Sequence, residues 1–115
     1  MGLDSLVNIG VNCDEALERF MQNEKLYKKC LKKLLDDKNF EQLQIALNAE
    51  KLEEAIVYAH TLKGVCANLA IEPLYKMFGE MVAKLRSSAL QEALDINEDA
   101  KTYYEKLIMV LNGLE

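Results

Sequence analysis

Apolar residues recur three and four positions apart along most of the chain, which is the spacing of one face of an α-helix. The pattern starts after Asn12 and again after Asn23, and an asparagine side chain at such a place accepts hydrogen bonds from the free N–H groups of a helix start. The sequence therefore predicts a short amphipathic helix over about residues 13–21 and a second helix from about residue 24. The second helix has a regular apolar face made of Leu26, Tyr27, Cys30, Leu31, Leu34 and Leu35.

The same spacing predicts further helices over residues 40–47, 50–69, 71–88 and 97–112. Asn39 stands at the start of the first of these, and Pro73 fits only the first turn of its helix. Gly79 lies inside that helix at a cost of about 1 kcal/mol relative to alanine, which indicates close packing against a neighbour. Gly113 is a suitable end for the last helix. Residues 89–96 fit either a loop or an early extension of that helix.

One proline and five glycines are too few for the closely spaced turns of a many-stranded β-sandwich or barrel. A chain of 115 residues, half of them hydrophobic, has the length and the apolar content of one domain. Helices with short connections bury their apolar faces best as an up-and-down bundle. We therefore expect an all-α protein with a single domain, residues 1–115: an up-and-down four-helix bundle over about 24–113, with the extra short N-terminal helix at about 13–21 packed across one end.

The balance of charge restricts the partners of the chain. Fourteen Lys and Arg residues against nineteen Asp and Glu residues give a net charge of −5 with the histidine neutral. A field of this sign repels nucleic acid and anionic lipids. No apolar run approaches the roughly twenty residues that span a bilayer, and no Lys or Arg precedes Arg19, unlike in a signal peptide. The sequence therefore predicts a cytoplasmic protein that binds neither nucleic acid nor membranes.

The three cysteines, Cys13, Cys30 and Cys66, are odd in number, widely spaced and without a cluster of histidines beside them. This pattern supports neither a disulfide framework nor a zinc site. Free cysteine behaves as a small hydrophobic residue. We therefore expect reduced thiols that fill the core, with redox sensing as the alternative.

His60 is the only histidine, and its angular position on the long helix is informative. At about 100° per residue it lies near 80° from Leu52, just past the edge of the apolar stripe, so its ring should be reachable. Lys63 and Gly64 lie one turn further along the same flank. An ammonium group there can balance an anion on the imidazole, and the missing side chain of glycine leaves space beside it. The alternative is a surface histidine without a role beside an ordinary solvated lysine.

Other chemistry finds little support in the residues. One histidine cannot form a metal site, and no carboxylate pair stands around it at ligand spacing. The chain has no glycine-rich phosphate loop and no nucleophile, base and acid set. We therefore expect neither a metal site nor an enzyme.

The segment AHTLKGVCANLA, residues 59–70, resembles the H-x-L-K-G-x-x-x-x-[LI]-G signature of histidine-containing phosphotransfer (HPt) domains. Residues 16–20 and 23–29 resemble the opening helices of that family, so the resemblance covers roughly residues 8–86. The main departure is Ala70, because the family usually has glycine at this helix end. The difference bears on the shape of the turn into the helix that contains Pro73.

The resemblance implies a histidine phosphotransfer protein of a two-component phosphorelay. His60 would accept a phosphoryl group from a receiver-domain aspartate, on Nε2 by analogy with the family, and pass it to another receiver. Lys63 would balance the charge of the phosphoryl group, and Gly64 would let the receiver approach. The alternative is a helical interaction module that retains the HPt bundle without phosphotransfer activity.

The resemblance also implies the partners and their docking surface. Response-regulator receiver domains, and a hybrid histidine kinase that contains one, would dock on a small surface that includes Val57, Ala67 and Met77. The receiver would bring the Mg²⁺, so the chain itself needs no cofactor. We expect it to act as a monomer.

Overall fold

Seven α-helices form most of residues 2–114, the part of the chain that this computed structural model describes. The two ends of the expected domain, Met1 and Glu115, lie outside the described residues. The helices are α1 (Asp4–Asn8), α2 (Cys13–Arg19), α3 (Glu24–Lys32), α4 (Asn39–Asn48), α5 (Leu52–Leu69), α6 (Glu72–Arg86) and α7 (Leu90–Asn112). A 3-10 turn, Lys33–Asp36, continues α3 toward α4.

The long helices pack as an up-and-down bundle. α5 packs against α4 and α6, and α6 packs against α7. α3 contacts both α5 and α7, so α3 and α4 together form the fourth helical segment of the bundle. The predicted all-α four-helix bundle with a short N-terminal helix is confirmed. Its largest fully buried side chains are Tyr27, Leu31, Leu43, Leu62, Ile71, Leu74, Phe78, Met81, Leu85, Leu107 and Leu111. No helix of residues 2–114 combines the length and the apolar character needed to cross a membrane.

The N-terminal segment closes one end of the bundle. The backbone N–H of Asn12 donates to the carbonyl of Ala70 at 2.9 Å, which places α2 beside the connection from α5 to α6. The Tyr103 hydroxyl donates to the carbonyl of Ile9 at 2.7 Å and ties the same segment to α7. α1 was not predicted, because five residues with only Leu6 buried are too short to show a period.

The predicted helix starts at Asn12 and Asn23 are confirmed. Each side chain accepts a hydrogen bond from the backbone N–H three residues on, at 3.2 and 3.0 Å respectively. At α4 the assignment differs, because Asn39 is the first helical residue and the Asp37 carboxylate accepts its N–H at 2.7 Å. Residues 90–96 are the start of α7, which resolves the choice between loop and helix.

Three connections between the bundle helices share one turn geometry. Glu50, Ala70 and Ser88 each have a left-handed backbone, with φ of 56°, 59° and 60°. In each case the next residue's N–H donates to the carbonyl five positions earlier, at 2.8 to 2.9 Å, as in a Schellman motif. The expected start of α5 at Glu50 is wrong by two residues, because Glu50 belongs to the turn. Ala70 has the left-handed conformation that glycine adopts most easily, so the turn into α6 forms with alanine at this position.

Candidate functional site

His60 lies near the middle of α5, with its side chain exposed to solvent. The opposite side of the helix is buried in the core through Ala55, Ala59, Leu62 and Cys66. The ring therefore stands outside the bundle on a helix that is anchored along its other face. A nucleophile in that place is accessible to a macromolecular partner without any rearrangement of the core.

Gly64 leaves an open space one turn from His60. A Cβ atom placed on it would have nothing within 4 Å, so no group of the described chain requires the glycine. A glycine inside a helix costs about 1 kcal/mol relative to alanine. Within residues 2–114, no packing contact compensates for this loss of stability.

Lys63 points toward α6. Its stem passes over Gly79, where an added Cβ would lie 3.5 Å from Cε of Lys63. Its ammonium nitrogen lies 5.5 Å from the centroid of the Tyr75 ring, within the range of a cation–π contact. The ion pairs found within residues 2–114 do not include Lys63, so its charge is not neutralised by a carboxylate there.

The close neighbour of Gly79 is therefore a lysine side chain rather than the backbone of another helix. Lys63, Gly79 and Tyr75 lie along a shallow groove of about 370 Å³ between α5 and α6. We call it the α5–α6 groove; it is lined by Lys63, Tyr75, Lys76, Gly79, Glu80 and Ala83.

The three residues expected at the docking surface differ in how exposed they are and in which face of a helix they occupy. Val57 is 61% exposed on α5, one turn before the site. Ala67 is half-buried near the end of α5. Met77 is half-buried and packs against the core; it lies about 160° around α6 from Gly79. The structure therefore does not bring Met77 to the surface beside Lys63, whereas Tyr75, 40% exposed, does lie there.

Sequence reasoning missed Tyr75 and the role of Gly79, although a signal for them exists. Two antiparallel helices joined by a tight turn bring residues together that are equally distant from the turn. Lys63 is eight residues before Ile71 and Gly79 is eight residues after it. Counting outward from the turn would therefore have paired the two.

Arg19 is a third residue that the sequence did not connect with the site. Its guanidinium donates to the carbonyl of Ala67 at 2.5 Å and also pairs with the Glu15 carboxylate. The buried Tyr27 hydroxyl donates to the nearby carbonyl of Leu69 at 2.8 Å. The carbonyl of Leu69 is one that the end of the helix leaves free, and the carbonyl of Ala67 accepts Arg19 in addition to the N–H of Ala70. α2 and α3 thus fix the C-terminal end of the helix that presents His60.

Titratable groups near the core have shifted pKa values, and burial is the main cause. Burial raises the pKa of the Cys66 thiol to about 12 and raises that of Cys13 as well. All three cysteines are free thiols. Within residues 2–114, no group of three or more His, Cys, Asp and Glu side chains is arranged to hold a metal ion.

Comparison with known proteins gives one match. A family model described as Hpt domain matches residues 31–109, more than half of the chain. The match includes α4, α5 and α6 and most of α7, and with them His60, Lys63 and Gly64. No curated protein and no solved structure shows significant similarity to the chain.

Proposed function

The chain belongs to the Hpt domain family, and on that premise we propose that His60 is the residue that carries the phosphoryl group. Members of this family are histidine phosphotransfer modules of two-component signalling and act as phosphoryl carriers rather than as enzymes. His60 is the only histidine of the chain. It occupies the histidine position of the H-x-L-K-G motif.

The proposed reaction needs only one nucleophile from this chain. The lone pair of Nε2 attacks the phosphorus of an aspartyl phosphate on a receiver domain. The P–N bond forms as the P–O bond breaks, and the receiver aspartate leaves as a carboxylate. Transfer to a second receiver reverses these events. Such transfers depend mainly on in-line positioning and on charge neutralisation.

The observation that carries the proposal is the exposed His60 ring beside the open space at Gly64. No packing within residues 2–114 accounts for the glycine. An approaching receiver accounts for it, because its loops must come close to the helix to reach the imidazole. Lys63, one turn from His60, supplies a positive charge that balances the transferred group.

The proposed partners are receiver domains, including one that belongs to a hybrid histidine kinase. They dock on the solvent face of α5 around Val57 and Ala67, with Tyr75 contributing from α6. The receiver brings the Mg²⁺ and the acidic pocket, and this chain acts as a monomer without a cofactor of its own.

The proposal is tested by incubation with a receiver domain that has been labelled with radioactive acetyl phosphate. The label should move to this chain in a linkage that is labile to acid and stable to base, and His60→Gln should abolish the transfer. A double variant, His60→Gln with Gln91→His, places a histidine at an exposed position on α7 and should stay unlabelled. Label that persists in His60→Gln would contradict the assignment. A wild-type chain that binds receivers without becoming labelled would instead support a pure interaction module.

A further inference from the structure

Lys63 is held by two residues of α6. Tyr75 offers the face of its ring to the ammonium group at 5.5 Å, and Gly79 leaves room for the carbon stem, with Cε 3.5 Å from the position of an added Cβ. We call Tyr75 and Gly79 the lysine seat. A lysine side chain in water samples many rotamers, and the seat selects one of them.

The seat holds the ammonium against α6, with its nitrogen 3.8 Å from the position of an added Cβ on Gly79. Lys63 and Gly79 are level with each other across the antiparallel pair α5 and α6. Tyr75 is level with Ala67, and both residues line one cleft. Both residues of the seat therefore lie level with Lys63 or nearer the C-terminal end of α5, whereas His60 lies about one turn toward the N-terminal end.

Without the seat, the Lys63 side chain would follow the ordinary lean of helical side chains. Cα–Cβ bonds tilt toward the N-terminus of a helix, which for Lys63 is toward His60. The Tyr75 ring therefore competes with His60 for the same ammonium group.

We propose that Tyr75 is a positioning residue: it holds Lys63 in a resting place, and phosphorylation of His60 draws the ammonium away from it. The inference rests on the proposed function of His60. A phosphoryl group brings between one and two negative charges, and its attraction for an ammonium exceeds that of an aromatic ring. Release of Lys63 uncovers the Tyr75 face, so the two forms of the protein offer different surfaces to receivers.

The resting position has a direct signature in NMR spectra. The ring current of Tyr75 should shift the Cε protons of Lys63 upfield, with the signal assigned by its loss in Lys63→Ala. Tyr75→Leu should remove the upfield shift and Tyr75→Phe should retain it, because phenylalanine keeps the ring face. A Lys63 signal without an upfield shift in the resting protein would overturn the proposal.

Phosphorylation by phosphoramidate tests the release. Nε2 of His60 attacks the phosphorus, and the P–N bond to ammonia breaks as the new bond forms. A phosphorus resonance that is absent in His60→Gln reports phosphohistidine, and the upfield shift of Lys63 should disappear with it. An unchanged Lys63 signal in the phosphorylated protein would overturn the resting-place role alone. Absence of the phosphorus resonance would overturn the proposed function and this inference together.

The equilibrium between receiver and carrier gives a second measurement. Freeing Lys63 in Tyr75→Leu should shift the phosphoryl group toward His60 by about two- to fivefold, the strength of an exposed cation–π contact. Tyr75→Phe should restore the wild-type ratio. In the Lys63→Ala background, Tyr75→Leu should have no further effect, because the competing ammonium is gone. An equal shift in that background would mean that Tyr75 acts on the equilibrium without Lys63, and it would overturn the proposal.

Discussion

Gly64 is the residue that most clearly lowers the stability of the folded protein. A side chain added there would point into open space. Replacement of the glycine would therefore remove its low helix propensity without creating a clash. The stability that the chain forgoes at this position is about 1 kcal/mol. Under the proposed function, access of a receiver to His60 accounts for the glycine.

Gly64→Leu should therefore separate stability from transfer. We expect the free energy of unfolding to rise by about 0.5 to 1 kcal/mol, because leucine is the better helix former. Phosphoryl transfer from a receiver should fall steeply, because the leucine side chain occupies the approach to the imidazole. Urea denaturation and transfer rates measure the two effects. Thr102→Leu, at an exposed position on α7, should leave transfer unchanged. Unimpaired transfer in Gly64→Leu would mean that receivers approach from another side.

The connections between helices are the elements where the chain carries backbone strain. Ser88 is exposed at φ 60°, whereas Ala70 has the same conformation with its methyl group buried. A left-handed backbone costs an ordinary residue roughly 1 to 2 kcal/mol, and glycine avoids that cost. Burial of one methyl group is worth about 0.8 kcal/mol.

Ser88→Gly should stabilise the protein by about 0.5 to 1 kcal/mol in thermal or urea unfolding, after allowance for the greater freedom of glycine in the unfolded chain. Ala70→Gly should change stability less, because the lost burial offsets the relieved strain. Ser87→Gly, next in sequence but at φ −95°, should destabilise. An equal loss of stability in Ser87→Gly and Ser88→Gly would refute the strain argument.

The helices from α2 to α7 were largely predictable, because each buries one apolar stripe, and α2, α3 and α6 begin at residues typical of helix starts. Asn12 and Asn23 cap helices in the way that their local sequence predicts. The start of α5 was misplaced, because Glu50 suits a helix N-terminus by charge and nothing in its residue type indicates a left-handed turn. The local sequence pattern predicts that a helix is present, and the geometry of the turn before it determines the residue at which the helix starts.

At the scale of the whole molecule, pairings between distant helices were not predictable. The amide groups of Gln44 and Asn97 exchange two hydrogen bonds, at 3.0 and 2.8 Å, between α4 and α7. The contact between Lys63 and Tyr75 is different, because it joins consecutive helices, α5 and α6, and counting outward from their turn does indicate it. The motif around His60 was identified by its resemblance to the HPt signature, whereas the lysine seat depends on how the two helices are aligned. Periodicity gives the inner face of each helix and leaves that alignment open.

The same burial that builds the core makes the whole molecule sensitive to alkali. Desolvation raises the pKa of the Cys66 thiol from 9.0 to about 12 and that of the Tyr104 phenol from 10.0 to about 12. Burial raises the pKa of Tyr27 and Tyr103 further. Because these pKa values are higher in the folded state, their contribution to stability is complete below the unfolded values and is lost as the pH rises through them.

We therefore expect the free energy of unfolding to fall above about pH 9, first through the buried thiols and then through the phenols, by about 1.4 kcal/mol per pH unit for each group that ionises only when unfolded. Urea denaturation from about pH 7 to about pH 11 measures the decline. Cys66→Ala should make it shallower between about pH 9 and 10, where the buried thiols of Cys66 and Cys13 act before the phenols. Val82→Ala, which removes core volume without a titratable group, should lower the curve and leave its slope unchanged. A free energy of unfolding that stays constant up to about pH 11 would mean that these groups ionise equally well in the folded protein.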